Sequence, residues 1–348
     1  MKTLITGNLG YIGPVLVNHL RSKYPSAYLV GLDTGFFAHK LTNARFFPEI
    51  ALNQQYIIDI RKLSKDLLKG FDIVVHLAAI SNDPIGNKFG EVTHEINSIA
   101  SENLARKSKE AGVKRFVFAS SCSMYGSASG SPRKETDELN PLTAYARSKV
   151  YFEKKLAELA DENFVVTSLR FSTACGMSPR LRLDLVLNDF VATALTKGKI
   201  EILSDGTPWR PLIDVKDMAR AIEWAMIREP DKGGSNLAVN VGRSDWNYQI
   251  KDLAEVVKQQ IPGITIQINT NALPDKRSYR VDFSLYEKLA TDFLPRIDIA
   301  QSVKELAEGI RGLNFPGAEF RDSEFMRLKV LTNFLKEQLL TTDLYWKQ

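Results

Sequence analysis

Two cysteines, Cys122 and Cys175, are all that the 348-residue chain holds. They are too few for a disulfide framework and lack metal-ligand spacing, so reduced thiols and no metal are expected. Nowhere do about 18 apolar residues run uninterrupted, which excludes a conventional membrane-spanning helix. Basic residues form no blocks: the net charge of +5 is scattered, and a nucleic-acid-binding arm is not expected. The opening Lys2-Thr3-Leu4-Ile5-Thr6 reads as a strand and not as a signal peptide, giving the expectation of a cytoplasmic protein. Internal repeats and low-complexity linkers are also missing. What is present, 44% hydrophobic and 25% charged residues, suffices for one large domain or two closely joined ones.

Short β-branched runs alternate with amphipathic stretches through the first half. Residues 3–6, 28–32, 73–77, 116–119 and 165–170 read as strands too apolar on both faces for an open antiparallel sheet. Residues 13–23, 96–111 and 144–160 read as helices. The alternation predicts an α/β fold, a Rossmann-type doubly wound parallel sheet covered by helices on both faces. After Arg170 the segments CGMSPR, SDGTPWRP, DKGGSN and ALPDKRS break that rhythm with Pro and Gly. They predict a smaller C-terminal substrate-binding α/β lobe. The expected division is a nucleotide-binding domain over 1–170, rejoined by 214–242, and a lobe made of 171–213 and 243–348.

The segment TLITGNLGYIG puts Gly7, Gly10 and Gly13 between the first strand and its helix. In such a turn the first glycine permits the tight bend, the second lets the backbone approach a pyrophosphate, and the third allows close helix packing. Tyr11 and Ile12 then open the helix, where unbonded N–H groups favour phosphate. Asp33 ends the second strand about 20 residues past the last glycine, where a carboxylate accepts hydrogen bonds from an adenosine ribose and repels a 2′-phosphate. NAD is therefore expected over NADP. Tyr56 to Ile60 reads as a further strand whose Asp59 and Ile60 face the adenine. Leu77, Ala78 and Ala79 follow the fourth strand as a cofactor wall. Asp83, in the following SNDP, either meets a sugar hydroxyl or forms an Asx turn before Pro84.

Tyr145-Ala-Arg-Ser-Lys149 places a phenol and an ammonium on one helical face. A tyrosine, with its reference pKa of about 10, is a poor base near neutrality, and a neighbouring cation favours its phenolate. The same lysine can hold the nicotinamide ribose. The spacing alone is common. Downstream of a glycine-rich nucleotide turn and the serine cluster of FASSCSMYG it gains meaning.

Together these motifs resemble the extended short-chain dehydrogenase/reductases, specifically the nucleotide-sugar epimerase/dehydratase group that includes UDP-glucose 4-epimerase. The resemblance runs through TGNLGYIG, HLAA, Asn97, SSCSMYG, YARSK, LRFSTACG, DGTPWRPLIDVKD and LPDKRSYRVDFS in order. It implies catalysis by Ser121, Tyr145 and Lys149, a cofactor site completed by Asn97 and Ser120, and a homodimer joined through two helices per subunit. It also implies that Arg210, with Arg277 or Arg280, contacts a nucleotide diphosphate, a task suited to a fork-shaped, permanently charged donor. Arg180 is an additional candidate without a clear family equivalent. Ser123 and Thr173 complete the expected substrate contacts, although Thr173 and Cys175 stand where many relatives carry asparagine and tyrosine.

Reaction type follows from what accompanies the triad. Dehydratases of this group carry an Asp-Glu pair where this chain has Cys122 and Ser123. The cysteine of 3,5-epimerising members is replaced by Ser123, and no histidine follows His94. The remaining chemistry needs only Ser, Tyr, Lys and NAD. The primary expectation is a 4-epimerase acting by transient C4 oxidation and hydride return. An NAD(P)H-dependent 4-keto-sugar-nucleotide reductase is the alternative, and a non-catalytic NAD-binding scaffold the third.

Overall fold

The computed structural model describes all residues except Asn82, Ser129, Leu273 to Lys276, Asn314, Pro316 and Gln348. Branched and aromatic residues fill β1 (Lys2–Thr6), β2 (Tyr28–Asp33), β3 (Gln54–Ile57), β4 (Ile73–His76), β5 (Arg115–Ser121) and β6 (Val165–Phe171). The chain continues through β7 (Thr173–Cys175), β8 (Lys199–Ile202), β9 (Trp209–Asp214), β10 (Asn236–Val241), β11 (Asn247–Gln249) and β12 (Thr265–Ile268). Seven strands form one sheet in the order β10-β6-β5-β4-β1-β2-β3, and every neighbouring pair is parallel. The Rossmann-type doubly wound reading is therefore met. Strand order reverses at β1, which lies between β4 and β2, and this leaves a crevice at the carboxyl ends of the strands.

Helices cover both faces. On one, the helix Ala144–Leu159 packs Phe152 against Phe118, ring edge to ring face at 4.6 Å. On the other, Leu16 and Leu20 of the helix Gly13–Lys23 share a core with Ile222 and Trp224 of the helix Val215–Ile227. A separate core, including Leu187, Val191, Leu253, Val303 and Leu306, joins the helices Val186–Lys197, Ile250–Gln260 and Ile299–Arg311. Beside it lie a β8–β12 pair and a small β11-β9-β7 sheet.

The expected helix over 96–111 is interrupted. Glu95–Ala100 forms a π-helical turn before the α-helix Ser101–Glu110. Such a wide turn lets one polar side chain point inward. Here Asn97 donates to the Ile80 carbonyl and accepts from its N–H, at 2.9 and 2.8 Å. His76 is equally committed to structure. Thr6 Oγ1 lies 2.7 Å from its Nδ1 and Ser101 Oγ 2.9 Å from its Nε2. Burial lowers its pKa to about 3, so it stays neutral.

The helix Ala144–Leu159 begins under a side-chain cap, with Thr143 Oγ1 accepting from Ala146 N at 3.1 Å. It is tied to β6 by a buried ion pair: Arg170 Nε donates to Glu153 Oε1 at 3.0 Å. Ser120 Oγ donates to Glu153 Oε2 at 2.9 Å, and Arg170 Nη1 to Tyr125 Oη at 3.0 Å. Removing one partner of such a pair strands the other in a dry environment. Arg170→Met is expected to destabilise the chain by about 3–5 kcal/mol in urea unfolding, and Arg170→Met with Glu153→Leu by less than Arg170→Met alone. Equal losses in both variants would contradict this.

Candidate active site

A cavity of about 290 Å³ opens at the strand-order reversal. Its floor is the turn between β1 and the helix Gly13–Lys23. Gly7 has φ +75°, and a Cβ built there would lie 2.5 Å from Ala78 N. A Cβ on Gly13 would lie 2.0 Å from Asn8 O. The bare backbone of Gly7 thus packs directly on the segment after β4, and Gly7, Gly10, Tyr11 and Ile12 line the cavity. Asp33, Asp59 and Ile60 line one end, and Leu77, Ala78 and Ala79 line the wall beyond β4. Asp33 accepts from Leu9 N at 3.0 Å and Gly35 N at 2.8 Å. Burial raises its pKa, and those two N–H groups oppose the rise. A glycine cradle that no side chain could enter, followed by a fixed carboxylate, fits a dinucleotide.

At the other end of the cavity stand Ser120, Ser121, Ser123, Tyr145, Lys149 and Thr173. β5 delivers the serines. Ser121 Oγ accepts from Ser123 N at 3.2 Å and donates to Ser123 Oγ at 3.0 Å, which fixes the turn Cys122–Tyr125. Lys149 is buried, and its Nζ donates to Ala119 O at 2.8 Å, 5.5 Å from the centre of the Tyr145 ring. Burial lowers its pKa from 10.5 to about 7. Cys122 is sealed behind this wall with its Sγ toward Arg170 O, and burial pushes its thiol far up, away from thiolate chemistry.

Several expected contacts lie elsewhere. Asn97 is absent from the cavity wall, because Ile80 and Ser148 occupy its carboxamide. It shapes the wall from behind, through Ile80 and Ser148. Arg180 is likewise withdrawn: its Nη1 pairs with Glu49 at 2.7 Å and its Nη2 donates to Ala38 O. Arg210, Arg277 and Arg280 stand outside the cavity lining. Arg210 lies 5.6 Å over the ring of Tyr279, which does line it, whereas Arg280 donates to Gly130 O. The Asp83 side chain falls outside the described residues.

Two cavity residues carry charge that sequence reading missed. Arg182 binds the Asp184 carboxylate at 2.8 Å and holds Ser81 through both its hydroxyl, at 3.0 Å, and its carbonyl, at 2.9 Å. Its charge also acts on Tyr11 and Tyr145. Arg327, 3% exposed, enters from the chain's last helix, Arg327–Lys336. The available signal for Arg182 was the twin arginines of SPRLRLD, which the strand-free backbone there does not distinguish. Arg327 had none.

Residues 3–242 match the model of the NAD dependent epimerase/dehydratase family. The chain belongs to that family. It is an NAD-dependent enzyme of the extended short-chain dehydrogenase/reductase type. An uncharacterized UDP-glucose epimerase of Bacillus subtilis, YtcB, is 31% identical over 70% of this chain and 78% of its own. The UDP-glucose 4-epimerase of Streptomyces lividans is 27% identical over 74% and 80%. Among solved structures, MoeE5 in complex with UDP-glucose and NAD superposes with a TM-score of 0.75 at 27% identity, over 89% of this chain and 99% of MoeE5. Among the described residues of this chain, no group of three or more His, Cys, Asp or Glu side chains is placed to hold a metal ion.

The lowered pKa of Lys149 has a measurable sign. Unfolded, the lysine keeps its proton to about 10.5; folded, it loses it at about 7. Between those values the unfolded state binds more protons, so stability rises with pH. Lys149→Met removes the contribution. The stability gap between the variant and the native chain, both free of cofactor, is expected to be widest below pH 7 and to shrink towards pH 10.5. A pH-independent gap in chemical denaturation would refute the assignment.

Proposed function

We propose that the chain is a UDP-sugar 4-epimerase. The supporting observation is that Ser121, Tyr145 and Lys149 line the same cavity as the glycine turn and Asp33. When bound, NAD supplies a hydride acceptor and donor for the sugar carbon. The protein supplies the proton chemistry. Tyr145, as phenolate, takes the C4 hydroxyl proton and returns it after the ketone has turned its other face; Ser121 donates a hydrogen bond to the C4 oxygen meanwhile. Lys149 holds the nicotinamide ribose. Because burial lowers the Lys149 pKa to about 7, its charge near neutrality is partial, and Arg182 is the permanent cation favouring the phenolate.

Thr173 and Ser123 line the sugar end in this reading, and Arg210, Arg277 and Arg280 hold the diphosphate outside the cavity beside Tyr279. Residues 1–170 with 214–242 form the nucleotide unit, and 171–213 with 243–348 form the substrate lobe, whose last segment packs back onto the nucleotide unit. No described helix is long and apolar enough to cross a membrane. We place the enzyme in the cytoplasm as a homodimer joined through two helices per subunit, a state that sedimentation would test.

Incubating the purified chain with UDP-glucose is expected to give UDP-galactose without net NADH formation. Tyr145→Phe should cut turnover by a factor on the order of 10²–10⁴ while NAD stays bound. Stoichiometric consumption of NADH or NADPH with a keto-sugar would favour the reductase instead, and undiminished turnover would remove Tyr145 from the mechanism.

A further inference from the structure

Three arginines cluster beside the cavity, Arg180, Arg182 and Arg327, and only two have an acid of their own. Arg180 is paired with Glu49 and Arg182 with Asp184. Arg327 makes one hydrogen bond, from Nη2 to Arg180 O at 3.3 Å, and its guanidinium lies 4.0 Å over the Phe37 ring. Among the described residues no carboxylate comes within 4.0 Å of it, although it is 97% buried and lines the cavity. A desolvated guanidinium with unused donors is costly unless an anion meets it.

The charges around it narrow the anion. Arg182 and Arg180 repel Arg327, while Asp184 and Asp33 attract it. Burial first, and Arg182 next, lower its pKa to about 9, a strain that a bound anion would relieve. Asp33 is joined to the glycine turn through Leu9 N, and Arg182 lines the cavity together with Tyr145 and holds Ser81. Arg327 therefore interacts with both the group at the adenosine end and the cation at the catalytic end, across the cavity that the turn floors. Between the two ends of a dinucleotide lies its pyrophosphate.

The segment that delivers Arg327 is anchored on the same wall. Trp346 Nε1 donates to Thr34 O at 2.7 Å, and its ring packs 5.7 Å from Phe36. Arg61, which holds Asp59, also donates to the carbonyls of Asp343 and Leu344 and stacks 3.5 Å over Tyr345. The chain end is thus fixed to the residues flanking both adenosine-side carboxylates, and the position of Arg327 follows from packing.

We infer that Arg327 is a dinucleotide-binding residue that pairs with the cofactor pyrophosphate, complementing the glycine turn from the C-terminal segment. The inference rests on the assignment of NAD to this cavity. It is tested by binding to the full-length, cofactor-stripped chain, with no turnover required. Arg327→Gln is expected to weaken NAD and ADP-ribose alike by about 10- to 100-fold and to speed NAD release from the holoenzyme. Adenosine, which lacks the pyrophosphate, should bind within about twofold of the native chain. Arg327→Lys, which keeps the charge, should lose less than Arg327→Gln, so the pair separates charge from packing even if the glutamine variant is less stable. Equal weakening of all three ligands, or unchanged binding of all three, would overturn the inference. No NAD binding by the native chain would overturn the cofactor assignment itself, and this inference with it.

Discussion

The approach of Gly7 to Ala78 is the constraint on which the rest of this molecule depends. β1 and β4 are neighbours in a parallel sheet, and their outgoing chains diverge into different layers. A cavity forms between them only if position 7 carries no side chain, because the space for a Cβ there is already filled by the backbone of Leu77 and Ala78. With position 7 bare, the helix Gly13–Lys23 starts against Asn8, and Asp33 reaches back to Leu9 N. The opposite wall then has a fixed target. β5 ends in Ser121 and the helix Ala144–Leu159 presents Tyr145 and Lys149, both positioned by the Arg170–Glu153 pair behind them.

Much of this was legible because it is local. Continuous apolar runs mark buried parallel strands, a glycine pattern between strand and helix marks the turn, and Tyr145 with Lys149 share a face whatever the tertiary packing. What could not be read was non-local. Arg180 and Arg182 differ by two positions in an irregular segment. Which of them enters the cavity is decided by Glu49, Ser81 and Asp184. Asn97 was expected in a regular helix beside the cofactor. The π turn instead aims it at Ile80, a local change in winding that no periodicity announces. Arg327 becomes a cavity residue only because the chain end returns to the first half of the fold.

Charge in the cavity is arranged unevenly. The group that general chemistry would credit with sustaining a phenolate, Lys149, sits where burial makes its own proton labile, and its one strong partner is a neutral carbonyl. The Arg182 guanidinium is the durable charge. Arg182 is stabilised by Asp184 and remains ionised across any accessible pH, so Tyr145 keeps one permanent cation in its cavity when Lys149 titrates. The sealed thiol of Cys122 and the neutral His76 add no competing proton exchange nearby.

The bond between Trp346 and Thr34 spans 312 positions of sequence. Contacts of such separation are made late, after loop closure has become worthwhile, and during synthesis domains generally fold from the N-terminal side first. The nascent nucleotide half therefore leaves the ribosome with Phe36 and Phe37 uncovered and its adenosine wall unfinished. Completion of that wall waits for the segment around Trp346. Folding of the sheet is thus separable from maturation of the cofactor pocket, and the integrity of the turn at Trp346 is a condition for the pocket floored at Gly7.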